Sequence, residues 1–159
     1  MLNMDKIDKK DKKILNVLNL NGRAFVSEIA RKTGIARDSV HYRLQRLLKN
    51  KVIRFVHTVL DPVELGYPVY TYVAFTLNNF DNSKEEKFYR FLMGHRNVAY
   101  VAKTTGKWDC LIAISAKNLE HFDSIMREIR HEFSEIIKEF ESASIIQEKK
   151  YDSMVELIE

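Results

Sequence analysis

The sequence predicts an α+β protein in which a helical domain precedes an open β-sheet flanked by helices. In the first third of its 159 residues, apolar side chains recur roughly every three or four positions, whereas several later segments alternate with a period of two. The charge changes sign at the same place. Residues 1–54 hold 14 Lys and Arg against five Asp and Glu, a net charge of +9, and residues 55–159 carry −5. A basic module next to an acidic one is typical of nucleic-acid binding by the first, although runs such as KKDKK are also typical of solvated helix surface.

Composition favours a folded protein of the cytoplasm. Hydrophobic residues make up 45% of the chain, which has only five glycines and two prolines. The longest apolar run falls far short of the roughly 20 residues that cross a bilayer. The charged N-terminus has no apolar segment typical of a secretory signal. Cys110 is the single cysteine, so no internal disulfide forms, which suits a reducing compartment.

The first domain, residues 1–51, is expected to contain three helices. Asp8 is positioned to cap the first helix, which should end near Asn21-Gly22. Ser27 is the candidate cap of the second helix, and Gly34 stands where a left-handed helix terminus is needed. The third helix should run from about Arg37 to residue 50. Short helices joined by a tight glycine turn form the helix-turn-helix pattern, here winged-helix-like.

The second half of the chain predicts a ferredoxin-like domain. Strands are expected at residues 70–78, 97–105, 108–116 and about 138–149. One helix should open with a capping box of Ser83 and Glu86, and another with Asn118 as its cap. The order from residue 69 is therefore βαββαβ, and we assign residues 68–159 to this domain.

Residues 52–61 predict a further strand, within a hinge and linker of residues 52–67. This segment is β-branched and aromatic on both faces, so both faces should be at least partly covered. A buried strand cannot leave its backbone groups unpaired. Pairing with the same strand of a second subunit would satisfy it and make a homodimer. The alternative is that the strand joins the edge of its own sheet.

The third helix has one apolar stripe and one polar face. Val40, Leu44, Leu47 and Leu48 cluster on one side, and the opposite face is either solvated surface or a surface for the major groove of DNA. In a basic helix-turn-helix module we favour DNA. The candidates for base edges are Asp38, Ser39 and Tyr42; those for phosphates or guanine are Arg37, His41, Arg43 and Arg46.

A second candidate site is the segment TTGKWD between two strands. Its backbone amides could hold the carboxylate of a small zwitterion, with Asp109 facing the ammonium group. The alternative is an ordinary hairpin turn. The candidate effector-binding residues are Thr104, Thr105, Gly106, Lys107, Trp108 and Asp109.

Enzyme chemistry has little support in the sequence. The five histidines, at positions 41, 57, 95, 121 and 131, lack metal-ligand spacing, and no glycine-rich phosphate loop or nucleophile elbow is present. Cys110 lies in an apolar strand and is expected to be a core residue. We therefore expect no catalytic residues, metal or cofactor.

Taken together, the motifs resemble the Lrp/AsnC, or feast/famine, family of transcriptional regulators. The similar segments are IDKKDKKIL (7–15), NGR (21–23), EIARKTGIARDSVHYRLQRL (28–47), VI (52–53), LDPVELG (60–66) and TGKWD (105–109). The resemblance implies a DNA-binding helix-turn-helix, a hinge strand, and a ferredoxin-like domain that forms dimers and often tetramers or octamers. It also implies a small effector, commonly an amino acid, bound near the loop that contains Gly106, Trp108 and Asp109.

Two positions depart from the family pattern. Ala36 replaces the usual Ser or Thr before the recognition helix, so the side-chain cap is expected to be missing. Lys51 replaces the usual glycine before the Val-Ile pair, and we expect Asn50 to supply the left-handed residue instead.

The expected function is that of a sequence-specific DNA-binding transcriptional regulator whose DNA affinity or assembly responds to a small molecule. Its expected partners are double-stranded DNA, an amino-acid effector and further copies of the chain. An alternative is an enzyme, since siroheme decarboxylases are similar in overall build. They use tetrapyrrole-handling histidines in the second domain, whereas VAYVAKTT, before the glycine turn, contains none.

Overall fold

A computed structural model describes residues 7–78, 81–150 and 153–158. The chain divides into two compact units, which we call the helical unit (residues 1–59 and 149–159) and the sheet unit (residues 60–148). The sequence-based boundary assigned residues 149–159 to the sheet domain, whereas the structure groups them with the helices. No helix in the described parts of the chain is long and apolar enough to cross a membrane.

The helical unit contains α1 (Lys9–Leu20), α2 (Val26–Thr33) and α3 (Arg37–Lys49). Asp8 caps α1 as expected, because its carboxylate accepts hydrogen bonds from the N–H groups of residues 10 and 11, at 2.8 and 2.9 Å. The apolar stripes of the helices meet in one core. Its fully or nearly fully buried members are Ile14, Ile29, Ile35 and Val40.

The turn between α2 and α3 has the expected geometry. Gly34 has a φ of +69°, in the left-handed region, and its N–H donates to the carbonyl of Ala30 at 2.9 Å. The expected cap at Ser27 is wrong: Phe25, two residues earlier, precedes α2, and no side chain caps this helix. Ala36 precedes α3, and no side chain caps that helix either.

The residue with left-handed geometry after α3 is Lys51, not Asn50. Lys51 has a φ of +57°, whereas Asn50, at φ −82°, stays near the helical region and donates its N–H to the carbonyl of Arg46 at 2.9 Å. The helical hydrogen-bond pattern therefore extends to Asn50, and the chain reverses one residue later.

Lys51→Gly is expected to raise the free energy of unfolding by about 1 kcal/mol, because glycine adopts positive φ without the Cβ penalty. Urea denaturation measures the change. Lys13→Gly, on the exposed surface of α1, is the control and should lower stability by about 1 kcal/mol. A Lys51→Gly protein no more stable than the parent would contradict the assignment.

The sheet unit has the expected βαββαβ order. Its elements are β1 (Val69–Leu77), α4 (Asn82–Gly94), β2 (Val98–Lys103), β3 (Cys110–Ala116), α5 (Leu119–Glu132) and β4 (Ile137–Ser144). The strands pair antiparallel in the order β2-β3-β1-β4. Alternate residues of β1, including Val73 and Phe75, join Phe88 of α4 and Ile129 of α5 in one core, so both helices pack on the same face of the sheet.

Of the caps predicted for α4 and α5, the one for α5 is confirmed and the one for α4 is wrong. Asn118 caps α5, accepting from the N–H of His121 at 2.7 Å. The Ser83–Glu86 capping box is wrong, because Asp81 caps α4 by accepting from the Ser83 N–H at 2.9 Å. The backbone N–H of Ser83 therefore donates to the cap, whereas the prediction made the Ser83 hydroxyl the capping acceptor.

Residues 52–61 form no strand in the single chain, which differs from the prediction. A strand requires a hydrogen-bonded neighbour, and the four described strands pair only with one another. The apolar side chains of this segment are instead exposed, among them Phe55 (62%), Val56 (61%) and Val59 (56%).

The C-terminal residues contact α1 within the helical unit. A short 3-10 turn, Val155–Leu157, follows residue 153. The Lys12 ammonium donates to the carbonyl of Ile158 at 2.7 Å and lies 3.4 Å from the Glu156 carboxylate. The Asn19 amide donates to the Ser153 hydroxyl at 3.2 Å. These contacts explain why this end of the chain belongs with the helices.

Candidate DNA interface and ligand loop

The predicted DNA-contacting residues divide into two groups on α3. Arg37, Asp38, His41 and Tyr42 are exposed, Tyr42 at 68%, and Ser39 is half-buried. Val40 and Leu47 are buried on the opposite side of the helix. The exposed group therefore forms a continuous polar face, which a groove of DNA could accept without rearranging the core.

Arg43 and Arg46 form the second group and are held by α1. One amino group of Arg43 lies 2.9 Å from Asp11 Oδ1 and 2.8 Å from Asp8 Oδ1. Arg46 donates to Asp11 Oδ2 at 2.5 Å. The Asp11 side chain is fully buried, and those of Arg43 and Arg46 are 16% and 23% exposed. We call these four residues the ion cluster, and it leaves the two arginines far less accessible to phosphate than Arg37.

The ion cluster was not anticipated from the sequence. Its only signal is a repeated spacing of three residues, Asp8 with Asp11 and Arg43 with Arg46, which places each pair on one side of its helix. Nothing local indicates that the two pairs meet across 35 residues of chain. Sequence reasoning therefore assigned both arginines to DNA.

The ion cluster shifts the pKa values of Asp8 and Arg43. The pKa of Asp8 is lowered to about 2: the backbone hydrogen bond from Asp11 is the largest cause, burial opposes it, and the hydrogen bond and charge of Arg43 add to the lowering. Burial alone would lower the pKa of Arg43, but its hydrogen bonds to Asp11 and Asp8 outweigh burial and raise it. Asp8 and Arg43 are therefore both charged at neutral pH.

Acid is expected to weaken the helical unit through Asp8. Because its folded pKa of about 2 lies below the unfolded value of 3.8, its contribution is complete above pH 4 and is lost as pH falls from about 4 to 2. Helical circular dichroism during urea denaturation at a series of pH values measures the loss. Asp8→Asn, which keeps a capping side chain, should show a smaller decline over that interval; an unchanged decline would contradict the role of Asp8.

The predicted ligand loop, residues 104–109, closes the β2–β3 hairpin. Gly106 has a φ of +100°, which favours glycine. The Thr104 hydroxyl donates to the carbonyl of Trp108 at 2.6 Å. The Lys107 ammonium lies 4.2 Å from the centre of the Trp108 ring and 3.0 Å from the Glu141 carboxylate. The loop thus brings all six predicted residues together in one ordered turn.

Backbone amides at the tip of this loop are available to an anion. In the described parts of the chain, the N–H groups of residues 105–108 have no hydrogen-bond acceptor. Successive backbone N–H groups of this kind form concave sites for carboxylates. Binding of a carboxylate at these amides stays a prediction.

Asp109 holds the loop to β1. Its Oδ2 accepts from the Leu77 N–H at 2.8 Å, and its own N–H donates to the carbonyl of Phe75 at 2.9 Å. Its carbonyl accepts from the Thr104 N–H at 2.9 Å and the Tyr89 hydroxyl at 3.1 Å. One carboxylate oxygen is therefore engaged inside the protein, and an ammonium-binding role for Asp109 stays a prediction.

Asp109→Ala is expected to destabilise the sheet unit by about 1–3 kcal/mol, because the buried Leu77 N–H loses its acceptor. Urea denaturation followed by the fluorescence of Trp108 measures this. Asp123→Ala is the matched control, since Asp123 is 64% exposed and pairs only with Arg127 on the surface of α5; it should change stability by less than about 0.5 kcal/mol. Equal stability of the two variants would contradict the holding role.

Cys110 is a core residue, as expected. Its thiol is fully buried in β3, and burial raises its pKa to about 12, so the reactive thiolate is scarce at neutral pH. Within the described residues, no group of three or more His, Cys, Asp or Glu side chains gathers in a way that could hold a metal ion.

Comparisons with known proteins cover both units. A family model described as an AsnC-type helix-turn-helix domain matches residues 7–48, and one described as an Lrp/AsnC ligand binding domain matches residues 71–155. The HTH-type transcriptional regulator FL11 of Pyrococcus horikoshii is 31% identical over 120 residues, which are 76% of this chain and 78% of that protein.

Solved structures share the fold. The crystal structure of an AsnC family transcriptional regulator from Agrobacterium tumefaciens superposes with a TM-score of 0.81 at 22% identity, over 92% of this chain and 95% of that one. A transcriptional regulator from Neisseria meningitidis, solved as a complex with L-Met, has a TM-score of 0.81 at 20% identity, over 91% and 92% of the two chains.

Proposed function

The chain belongs to the Lrp/AsnC family of helix-turn-helix transcriptional regulators, and on that premise we propose that it binds specific DNA sequences and that an amino acid modulates this binding. The observation that carries the proposal is the exposed polar face of α3 in a unit whose first 54 residues have a net charge of +9. Such a face suits the major groove, and the surrounding cations suit the phosphates.

The division of roles on α3 follows exposure. We assign base contacts to Asp38, Ser39 and Tyr42, and phosphate contacts to Arg37 and His41. Arg43 and Arg46 support the helix through the ion cluster. Each phosphate neutralised releases counterions, so affinity should fall steeply with salt.

The test begins with a duplex selected by the wild-type protein from genomic fragments. Fluorescence anisotropy then gives the affinity for it at several salt concentrations. Arg37→Gln should weaken binding and reduce the slope of log affinity against log salt by about 1, whereas Tyr42→Ala should weaken only the selected duplex. Lys117→Gln, an exposed cation of the sheet unit, is the control for charge. A flat salt dependence for the wild type would exclude this function.

The proposed effector site is the loop of residues 104–109. The free amides of the loop suit an amino-acid carboxylate, and the fold is shared with a regulator solved as a complex with L-Met. The proposal predicts that an amino acid, tested first as L-methionine and then as a set of the others, changes DNA affinity. Gly106→Val, which strains a position at φ +100°, should abolish that change and leave the affinity without amino acid unaltered. A response retained in Gly106→Val would place the effector elsewhere.

We also propose that the chain acts as a homodimer and, by further association of dimers, as a tetramer or octamer. Two surfaces support this: the exposed apolar residues of the 52–61 segment, and the face of the sheet that the helices leave open, where the rings of Tyr70 and Tyr72 of β1 lie with centroids 5.9 Å apart. Sedimentation equilibrium at micromolar concentration tests it, and a monomer would refute it.

The regulator function is preferred to the siroheme-decarboxylase alternative because the matched relatives are named as transcriptional regulators. We place its action in the cytoplasm, where it meets DNA. A change in the absorbance of siroheme on mixing with the purified protein would reverse the preference.

A further inference from the structure

We propose that Asp11 is a positioning residue for DNA recognition: by holding Arg43 and Arg46 together, it fixes the rotation of α3 about its own axis. The inference rests on the proposed DNA-binding function and assigns a role that lies outside the DNA-facing surface. It also explains why two arginines of the recognition helix are directed toward α1.

The attachment has two points on α3. Asp11 Oδ1 is 2.9 Å from Arg43, and Oδ2 accepts from Arg46 one turn further along. Positions three apart differ by about 60° around a helix, so the two arginines flank the boundary between the buried stripe and the exposed face. A single contact would allow α3 to roll about that contact, whereas two contacts to one carboxylate oppose rotation in both directions.

Asp11 is itself immobilised. Its side chain is fully buried, and its Oδ2 also accepts from the Asp8 N–H at 3.1 Å, as part of the capping box of α1. Because the first turn of α1 holds this carboxylate in place, the carboxylate can fix the position of α3. The apolar contacts of Val40 and Leu47 supply packing free energy, but side chains of similar shape can slide past one another more readily than paired charges.

The rotation matters because base readout tolerates little displacement. Side chains reach about 5–6 Å from the helix axis, so a roll of about 20° moves their ends by about 2 Å. The donor–acceptor distance of a hydrogen bond to a base edge can vary by only about 0.5 Å, so such a roll would break these bonds. Contacts with phosphates, which depend mainly on charge, would persist. Loss of Asp11 should therefore reduce specificity more than it reduces affinity.

The test uses the full-length protein with Asp11→Asn, which removes the charge and keeps the shape. Glu28→Gln makes the same charge change on α2, where Glu28 pairs with Lys32 at 2.8 Å, and is the matched control. Affinities are measured for the duplex selected by the wild type and for a random-sequence duplex, at a temperature where circular dichroism shows both variants folded. Arg46→Lys, which keeps the charge and loses the fixed fork of the guanidinium, is the second variant in case Asp11→Asn does not fold.

We expect Asp11→Asn to lower the ratio of selected to random affinity by about tenfold or more. The slope of log affinity against log salt should become steeper by about 1–2, as released arginines reach phosphates. Arg46→Lys should lower the same ratio by a smaller factor. Glu28→Gln should leave the ratio unchanged. A parallel loss of both affinities would show a merely structural role and overturn the inference, as would an unchanged ratio.

A second readout needs no DNA, so it separates this inference from the proposed function. Spin labels at Lys13→Cys in α1 and Tyr42→Cys in α3 report the orientation of the two helices; the buried thiol of Cys110 should stay unlabelled. Asp11→Asn should change or broaden the spin–spin coupling, and Glu28→Gln should not. Unchanged coupling in Asp11→Asn would overturn the inference. A wild-type protein without preference for any duplex would instead refute the proposed function.

Discussion

Replacing Phe88 with alanine is expected to lower the free energy of unfolding of the sheet unit by about 3–5 kcal/mol. The Phe88 side chain on α4 is fully buried. Its ring meets those of Phe75 and Phe133 edge to face, with centroids 5.8 and 5.1 Å apart. Removing the ring loses apolar burial and the edge-to-face contacts with Phe75, Phe133 and the neighbouring Tyr89, and it leaves a cavity between the helix and the sheet.

The readout is urea denaturation followed by the fluorescence of Trp108, the single tryptophan, which lies in the sheet unit. Phe25→Ala is the control, because it makes the same substitution at a residue of the helical unit that is 78% exposed. It should leave the Trp108 transition within about 0.5 kcal/mol of the wild type. A loss below about 1.5 kcal/mol for Phe88→Ala would show that the core collapses around the missing ring.

Elements specified by adjacent residues were predictable from the sequence. The apolar period of α1, the carboxylate of Asp8, the glycine at position 34 and the amide of Asn118 each act within one turn of chain, so their outcome depends little on the rest of the fold. Period-two alternation likewise predicted β1, in which Val73 and Phe75 face the helices.

The missed caps have a local cause. At α4, Asp81 and Ser83 are both capping residue types two positions apart, and the helix starts after the first of them, whose carboxylate accepts from the Ser83 N–H at 2.9 Å. At α2 the helix begins before Ser27 because Phe25 already accepts from the Ile29 N–H through its carbonyl, at 3.0 Å. Sequence patterns define such a helix start to within a few residues.

Features that need a distant partner were not predictable. The pairing of Arg43 and Arg46 with Asp11 depends on the packing of α1 against α3, and a strand at residues 52–61 depends on a neighbour that one chain does not supply. The loop of residues 104–109 was located from its glycine and aromatic residue, but the hold of Asp109 on the Leu77 N–H requires the end of β1 to be in place. Residue types therefore indicated the candidate sites, whereas only the tertiary contacts show which of their side chains are engaged within the protein.

Asp11→Ala is expected to destabilise the helical unit by about 3–5 kcal/mol, because it leaves two largely buried arginines without their common partner. This cost is larger than the net value of the ion cluster. Two arginines and the Asp11 carboxylate must be largely desolvated to form it, and the attraction among the charges repays that cost only when every partner is present.

The triple variant Asp11→Leu, Arg43→Met, Arg46→Leu should therefore be close to the wild type in stability, within about 1–2 kcal/mol, since apolar side chains replace the three largely buried members of the ion cluster and only the half-exposed Asp8 remains. Circular dichroism of the helices during urea denaturation compares the two variants, with Asp38→Ala as a control for loss of an exposed carboxylate from the same unit. A triple variant as unstable as Asp11→Ala would mean that the ions themselves supply the stability. Recovery of stability without recovery of DNA specificity in the triple variant would show that the ion cluster orients α3, because apolar contacts would then restore the packing of the helix but not its fixed rotational position.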